Sequence, residues 1–310
     1  MAHPTIGLAL GSGSARGWSH IGVIRVLEQA GISPDIVCGT SIGALVGAIY
    51  ADGQLERLES WVTNLTWKTI AGLLDVTIDG GLIKGDKIIE FFRSHFKDKD
   101  IKEMAKTYGA VATELVTGRE VWLREGSVID SVRASSALPG LFAPAQQGER
   151  LLVDGGLVNP VPVSLCRAMG ADIVIAVDLN WDLVGRRFRV PSDPKAATAP
   201  AAPAILASML SKLPLALGRL KSGPTESTDM PSMLDVLATS LHIMQVRITR
   251  SRLAGEPADV MIRPHLSDIA LMDFHRAAPA IAEGQRAAEQ VLPQLREIMG
   301  GRFPARAPTR

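Results

Sequence analysis

The sequence predicts a three-layer α/β/α fold: a mostly parallel central sheet with helices on both faces, as one domain over residues 1–310. Three observations carry this. Thr5 to Leu10, Asp35 to Thr40 and Asp172 to Leu179 are short apolar runs without polar alternation, the signature of strands buried on both faces. The first two are each followed by a glycine-bearing turn and then by a helical apolar pattern. The chain therefore opens strand–loop–helix–strand–turn–helix, which implies a parallel sheet with helices on both faces.

The elements follow in order. Thr5 to Leu10 ends in Gly11-Ser12-Gly13-Ser14-Ala15-Arg16-Gly17, and a helix from about Trp18 to Ala30 stops at Gly31. The second strand meets Ser41, and the helix beyond it ends near Gly53. Leu55 to Leu65 continues helical, while Thr66 to Leu82 is mixed. Asp86 caps a helix reaching about Phe96, and Lys97-Asp98-Lys99-Asp100 reads as a solvated turn. Tyr108 to Leu115 and Arg119 to Arg124 form a hairpin around Thr117-Gly118. Ser127 to Ser136 is a helix, Arg150 to Val153 a strand and Pro162 to Met169 a helix. After the strand Asp172 to Leu179, a Pro/Ala/Ser-rich insert at about 181–231 is expected to be mobile, with one amphipathic helix near Ile205 to Leu217. A helix from about Met233 to Ala254, a strand Asp259 to Pro264 and a helix from about Phe274 to Met299 complete the domain, and a tail at about 302–310 is expected to be disordered.

Composition narrows the function. Hydrophobic residues make up 46% of the chain, enough for a sizeable core. The formal charge of +1 provides no field to draw nucleic acid, and none is expected as a partner. Two cysteines, Cys38 and Cys166, both in apolar runs, are too few for a disulfide framework or a metal cluster and read as small core residues; no metal and no cofactor is expected. No signal peptide precedes the first strand, and no uncharged apolar run reaches the ~18 residues of a membrane span. The expected location is cytoplasmic, with transient contact at the inner membrane face through the insert.

The chemistry centres on Gly39-Thr40-Ser41-Ile42-Gly43, a G-x-S-x-G turn between a strand and a helix. Five letters alone would arise by chance in about one chain in five of this length and composition. The strand-to-helix setting is what marks a nucleophile elbow, in which Gly39 and Gly43 let backbones approach and the Ser41 hydroxyl is lifted clear of the sheet. A nucleophile needs an oxyanion site and a base. The first loop supplies the former, because successive N–H groups in a glycine-rich turn converge at a helix N-terminus. It is not a dinucleotide or phosphate loop, having neither G-x-G-x-x-G nor the Lys-Ser/Thr of a P-loop. The base stays open on this evidence. His242, His265 and His275 follow Ser41 late in the chain, as a Ser–His–Asp enzyme would need. Asp154, ending an apolar strand before two glycines, is the better placed carboxylate, and Asp79 repeats the same Asp-Gly-Gly pattern.

Together, Gly-Ser-Gly-Ser-Ala-Arg-Gly at 11–17, Gly-Thr-Ser-Ile-Gly at 39–43 and Asp-Gly-Gly at 154–156 resemble the patatin-like phospholipases, most nearly the bacterial RssA type. Ala134 to Gly140, Asn159-Pro160-Val161-Pro162 and Asp273 to Ala277 extend the likeness over nearly the whole chain. The resemblance implies a Ser–Asp dyad with Ser41 as nucleophile and Asp154 as base, without histidine. It implies an oxyanion loop drawn from Gly11, Gly13, Ser14, Ala15, Arg16 and Gly17, with Arg16 as the family's basic loop residue. The implied substrate is a phospholipid, lysophospholipid or fatty acyl ester, hydrolysed through an acyl-enzyme. Two competing readings are a regulatory or binding protein that keeps the fold with little turnover, and an acyltransferase or thioesterase using a late histidine. The insert has two readings of its own, a lid or membrane-surface helix, or a loosely packed excursion. Oligomeric state is left open.

Overall fold

A computed structural model describes residues 3–66, 68–70, 90, 93–94, 96–183 and 233–300. Its core is an eight-stranded sheet. Strands β1 (Ile6–Leu10), β2 (Ile36–Thr40), β3 (Thr107–Glu114), β7 (Ile173–Val177) and β8 (Val260–Ile262) lie in the order β3-β2-β1-β7-β8, all parallel. β1, β2 and β7 are buried at every position, which is why their sequences are continuously apolar. Three antiparallel strands extend the β3 side: β4 (Glu120–Leu123) pairs with β3, β6 (Arg150–Asp154) pairs with β3, and β5 (Ala145–Gln147) pairs with β6. β5, at Ala145-Gln146-Gln147, carries no apolar alternation, and the sequence gives no signal for it.

The helices cover both faces. α1 (Ser19–Gln29), α2 (Ile42–Ala51) and α3 (Leu55–Thr63) follow the first two strands. α4 (Val128–Ser135), α5 (Val163–Ala168), α6 (Met233–Gly255) and α7 (Ala277–Ile298) come later in the chain. α1 and α7 pack backbone against backbone through Gly22 and Gly284. A Cβ on Gly22 would stand 2.0 Å from the Ile281 carbonyl oxygen, and one on Gly284 equally close to that of Ser19. One apolar cluster holds α1, α2, α3 and α7 on one side of the sheet, and a second holds α5 and Cys166 on the other. Cys38 and Cys166 are buried and unbridged, as core residues.

The segment 97–100 is not a merely solvated turn. Asp98 accepts hydrogen bonds from Ser127 Oγ at 2.8 Å and from the Ile129 N–H at 3.3 Å, and so caps α4. Lys99 pairs with Asp52 at the end of α2, and Asp100 accepts from the Lys102 N–H at 2.9 Å. Local charge density pointed to solvent; the fold uses those charges to join three segments. Several expectations lie outside the described residues: the insert from residue 184 onward with its helix at Ile205 to Leu217, the tail at 302–310, Asp79-Gly80-Gly81 and most of the helix expected from Asp86. Trp181 to Leu183 belong to the folded body, where the Trp181 indole N–H donates to the Pro264 carbonyl at 2.8 Å. Among the described residues no helix is long and apolar enough to cross a membrane, and no group of three or more His, Cys, Asp or Glu could hold a metal ion.

Candidate active site

The elbow is built by close backbone approach. β2 enters it buried, and Ser41 adopts φ 58°, ψ −123°, a conformation that non-glycine residues rarely hold. A Cβ on Gly39 would lie 2.3 Å from the Gly43 carbonyl oxygen, and one on Gly43 would lie 2.1 Å from that of Leu10. Only hydrogen fits at either position. Polar bonds fix the turn further. The Ser41 N–H donates to Ser135 Oγ at 2.9 Å, and Ser135 Oγ donates to the Val111 carbonyl at 2.6 Å. Thr40 Oγ1 donates to the Asn159 carbonyl at 2.8 Å.

Ser41 Oγ donates to Asp154 Oδ2 at 2.6 Å. The other carboxylate oxygen, Oδ1, accepts from the Gly156 N–H at 2.7 Å. Asp154 is buried, and burial pushes its carboxyl up to about 6, against the downward pull of the Ser41 and Gly156 hydrogen bonds. At neutral pH it is therefore an ionised acceptor of moderate basicity, held in line with one hydroxyl. Gly155 permits this, since a Cβ there would meet the Val111 carbonyl oxygen at 2.2 Å.

The glycine-rich loop is pinned on all sides. The Gly11 N–H donates to Val177, that of Ser12 to Pro160, that of Ala15 to Leu271 and that of Arg16 to Gly13. Among the described residues, the N–H groups of Gly13 and Ser14 have no acceptor, and both residues line the cavity beside Ser41. Ser14 is held at φ 51°, with its hydroxyl donating to the Leu271 carbonyl at 2.7 Å. Gly17 is small for packing alone, since a Cβ there would stand 2.2 Å from Ile42 Cγ1. Of the six loop residues expected around an oxyanion, Gly13 and Ser14 thus combine a place in the cavity wall with an N–H that no described group accepts from.

Arg16 is not the solvated side chain that a loop arginine suggests. It is completely buried. Its Nε donates to the Gly13 carbonyl at 3.1 Å, and Nη2 lies 2.9 Å from His242 Nε2. A guanidinium only donates, so His242 Nε2 is the acceptor and its ring proton sits on Nδ1. His20 donates from Nε2 to the Gly11 carbonyl at 2.8 Å, and burial lowers it to about 4, so it remains neutral. Ser41 Oγ meets no histidine among the described residues. His265 lies against Trp181, with ring centroids 4.6 Å apart, and 3.7 Å from Asp182. His275 lies just before α7.

Ser41 and Asp154 open into a cavity of about 180 Å³. One end is polar, lined by Ser12, Gly13, Ser14, Arg16, Ser41, Asp154, His242 and Gln245. Apart from Arg133 and Ser136 the rest is apolar, with Leu45, Trp61, Leu65, Val132, Leu141, Phe142 and Leu271 among its walls. Trp18 packs edge-on against Trp61 at 6.4 Å and Phe274 at 5.9 Å, closing one side. Such a shape takes a hydrocarbon chain with one reactive polar end. Sequence reasoning missed Ser135, Asn180 and Gln245. Asn180 lies just past the C-terminal end of β7, where parallel sheets carry their ligands, and that signal was available. Ser135 and Gln245 lie on helices whose turn-by-turn pattern shows only burial.

Residues 8–167 match the family model described as patatin-like phospholipase. The chain is 34% identical to an uncharacterized NTE family protein of Mycobacterium tuberculosis, over 93% of this chain and 91% of that one. It is 37% identical over 184 residues to the human patatin-like phospholipase domain-containing protein 6, spanning 57% of this chain and 13% of that one. Among solved structures, VipD from Legionella pneumophila is similar with a TM-score of 0.43 at 14% identity, covering 94% of this chain and 67% of that one.

Proposed function

The chain belongs to the patatin-like phospholipase family, and we propose that it is a serine hydrolase of phospholipid, lysophospholipid or fatty acyl esters. Family membership points to lipid ester hydrolysis; the residues and steps below are our own reading. The observation that carries it is the 2.6 Å bond from Ser41 Oγ to the buried Asp154 carboxylate, at the polar end of an apolar cavity.

Asp154 Oδ2 accepts the Ser41 proton as Oγ attacks the ester carbonyl carbon. Negative charge then develops on the carbonyl oxygen, where the Gly13 and Ser14 N–H groups stabilise it. Losing one such donor typically costs ~3 kcal/mol in the barrier. The intermediate collapses, Asp154 returns the proton to the departing alcohol oxygen, and an acyl-Ser41 ester is left. Water enters, gives its proton to Asp154 and attacks the acyl carbon, and Ser41 recovers its proton as the fatty acid leaves. The raised carboxyl of Asp154 suits this work, since a base near 6 is ionised at neutral pH yet holds a proton better than an ordinary carboxylate.

The test uses purified protein with a short-chain p-nitrophenyl ester and a fluorophosphonate label. Wild type turns over the ester and is labelled at Ser41, Ser41→Ala does neither, and Asp154→Asn loses at least about a hundredfold in kcat. A fully active Asp154→Asn enzyme would overturn the dyad. A folded wild type that neither labels nor turns over would favour a binding protein that keeps the fold.

A further inference from the structure

The geometry points to Gln245 of α6 as a residue that recognises the alcohol portion of the ester, donating a hydrogen bond from Nε2 to an oxygen acceptor there; this rests on the acyl-hydrolase reading. The orientation of its amide follows from a chain of fixed partners. Asn180 Nδ2 lies 3.1 Å from the Ser12 carbonyl oxygen, which can only accept, so the Asn180 amide cannot be turned around. The Asn180 N–H donates to Asp178 Oδ1 at 3.0 Å, which anchors the residue at the end of β7. The same Nδ2 lies 3.2 Å from Gln245 Oε1. Reversing Gln245 would set two donors face to face. Its oxygen is therefore committed to Asn180, and Nε2 must point the other way.

That other way is toward the dyad. A Cβ built on Gly156 would come within 2.6 Å of Gln245 Nε2 and 2.9 Å of Asp154 Oδ1, so donor and carboxylate flank the same backbone position. Gly156 thus makes room for the Gln245 amide as well as donating to Asp154. Gln245 is 7% exposed and lines the cavity, and among the described residues its Nε2 has no acceptor. Nε2 opens onto the cavity and is not sealed in the protein, so a ligand that displaces water from it must supply an acceptor or leave a donor unpaired at a cost of about 1–3 kcal/mol.

The ester offers three parts. The acyl chain has no acceptor and suits the apolar wall. The carbonyl oxygen is taken by the Gly13 and Ser14 N–H groups. What remains is the alcohol, and an oxygen acceptor carried two or three carbons beyond the scissile oxygen, such as a glycerol hydroxyl or a phosphodiester oxygen, is the chemistry that would satisfy Nε2.

The experiment compares kcat/KM for the glycerol monoester of decanoic acid and for propyl decanoate, which share acid and scissile bond and differ only in the hydroxyls. Wild type is expected to prefer the glycerol ester by about three- to tenfold, the weight of one neutral hydrogen bond. Gln245→Met, of similar volume but without the donor, is expected to bring the ratio to within about twofold of unity. A wild type without preference, or a variant that keeps the wild-type ratio, overturns the assignment. Where Gln245→Met does not fold, the wild-type ratio decides. A wild type that hydrolyses neither ester overturns the acyl-hydrolase reading and this one with it, whereas turnover of both with no preference overturns this one alone.

Discussion

Thr40 and Asp154 occupy consecutive rungs on one edge of β3: Thr40 pairs with Val111, and Asp154 with Ala112. The edge is the same because β4 holds the opposite edge at both Val111 and Ala112. β2 runs parallel to β3 and β6 antiparallel to it, so the two strands point at each other and the chain leaves both where they meet. Ser41 is the first residue beyond one and Asp154 the last of the other. Sheet register, more than any loop, brings hydroxyl and carboxylate within 2.6 Å.

In the proposed mechanism the ionised form of Asp154 accepts the proton, and burial raises its carboxyl to about 6. The expected kcat/KM profile is low near pH 5, rises through about pH 6 and levels above about pH 7. A profile that stays flat from pH 5 to 8 would exclude Asp154 as the titrating base.

The same shift bears on stability. Folding raises the Asp154 carboxyl from 3.8, so the folded state favours the protonated form. That contribution is complete below about pH 4 and is lost as pH rises through about 6. Asp154→Asn, neutral throughout, is expected to be more stable than wild type at pH 7.5 by on the order of 1–3 kcal/mol, with the difference shrinking toward pH 4. Urea unfolding at the two pH values measures it.

Ser135 bridges two backbone groups, accepting from the Ser41 N–H and donating to the Val111 carbonyl. Ser135→Ala leaves both buried and unpaired beside a strained φ. The expected result is a loss of about 1–3 kcal/mol in unfolding free energy and a fall in kcat, with KM little changed. Unaltered kcat would show that the elbow holds its shape without this bridge.

Gly43→Ala forces a methyl group to 2.1 Å from the Leu10 carbonyl oxygen, and both are backbone-held. Gly47→Ala, one turn later on α2, meets Val37 Cγ1 at 3.1 Å, a contact that a side chain can relieve. Gly43→Ala is expected to give little soluble protein or a loss above about 3 kcal/mol, and Gly47→Ala a change below about 1 kcal/mol. Thermal melts of the pair decide this.

Arg16 is completely buried and braces, through the Gly13 carbonyl, the loop in which Gly13 and Ser14 line the cavity. Arg16→Met keeps the apolar stem and removes the donors to Gly13 and His242. It is expected to lower the melting temperature by roughly 5 °C or more and to reduce kcat. Arg16→Lys is not expected to rescue either, because an ammonium cannot reach two partners in the fork geometry. Full rescue by lysine would reduce Arg16 to a bare positive charge.

What the sequence determined by itself is local. Continuous apolar strands, glycine-punctuated turns and the G-x-S-x-G elbow are written within a few residues, because parallel strands buried on both faces need unbroken hydrophobic runs and the elbow needs hydrogen at Gly39 and Gly43. The likeness in motifs carried the family and the pairing of Ser41 with Asp154. Residues alone left that pairing open among one carboxylate, its Asp-Gly-Gly twin and three late histidines, because it depends on β6 meeting β2 end to end along β3. Tertiary structure decided the rest. Arg16 is buried because α6 lays His242 over it, and the loop N–H groups divide into engaged and open ones through partners as distant as Leu271. Gln245 sets its amide nitrogen beside Gly156 because Ser12 fixes Asn180 and Asn180 holds the Gln245 oxygen. Each of these is a hydrogen-bonding choice between groups far apart in the chain, and neither periodicity nor composition encodes a partner at that distance.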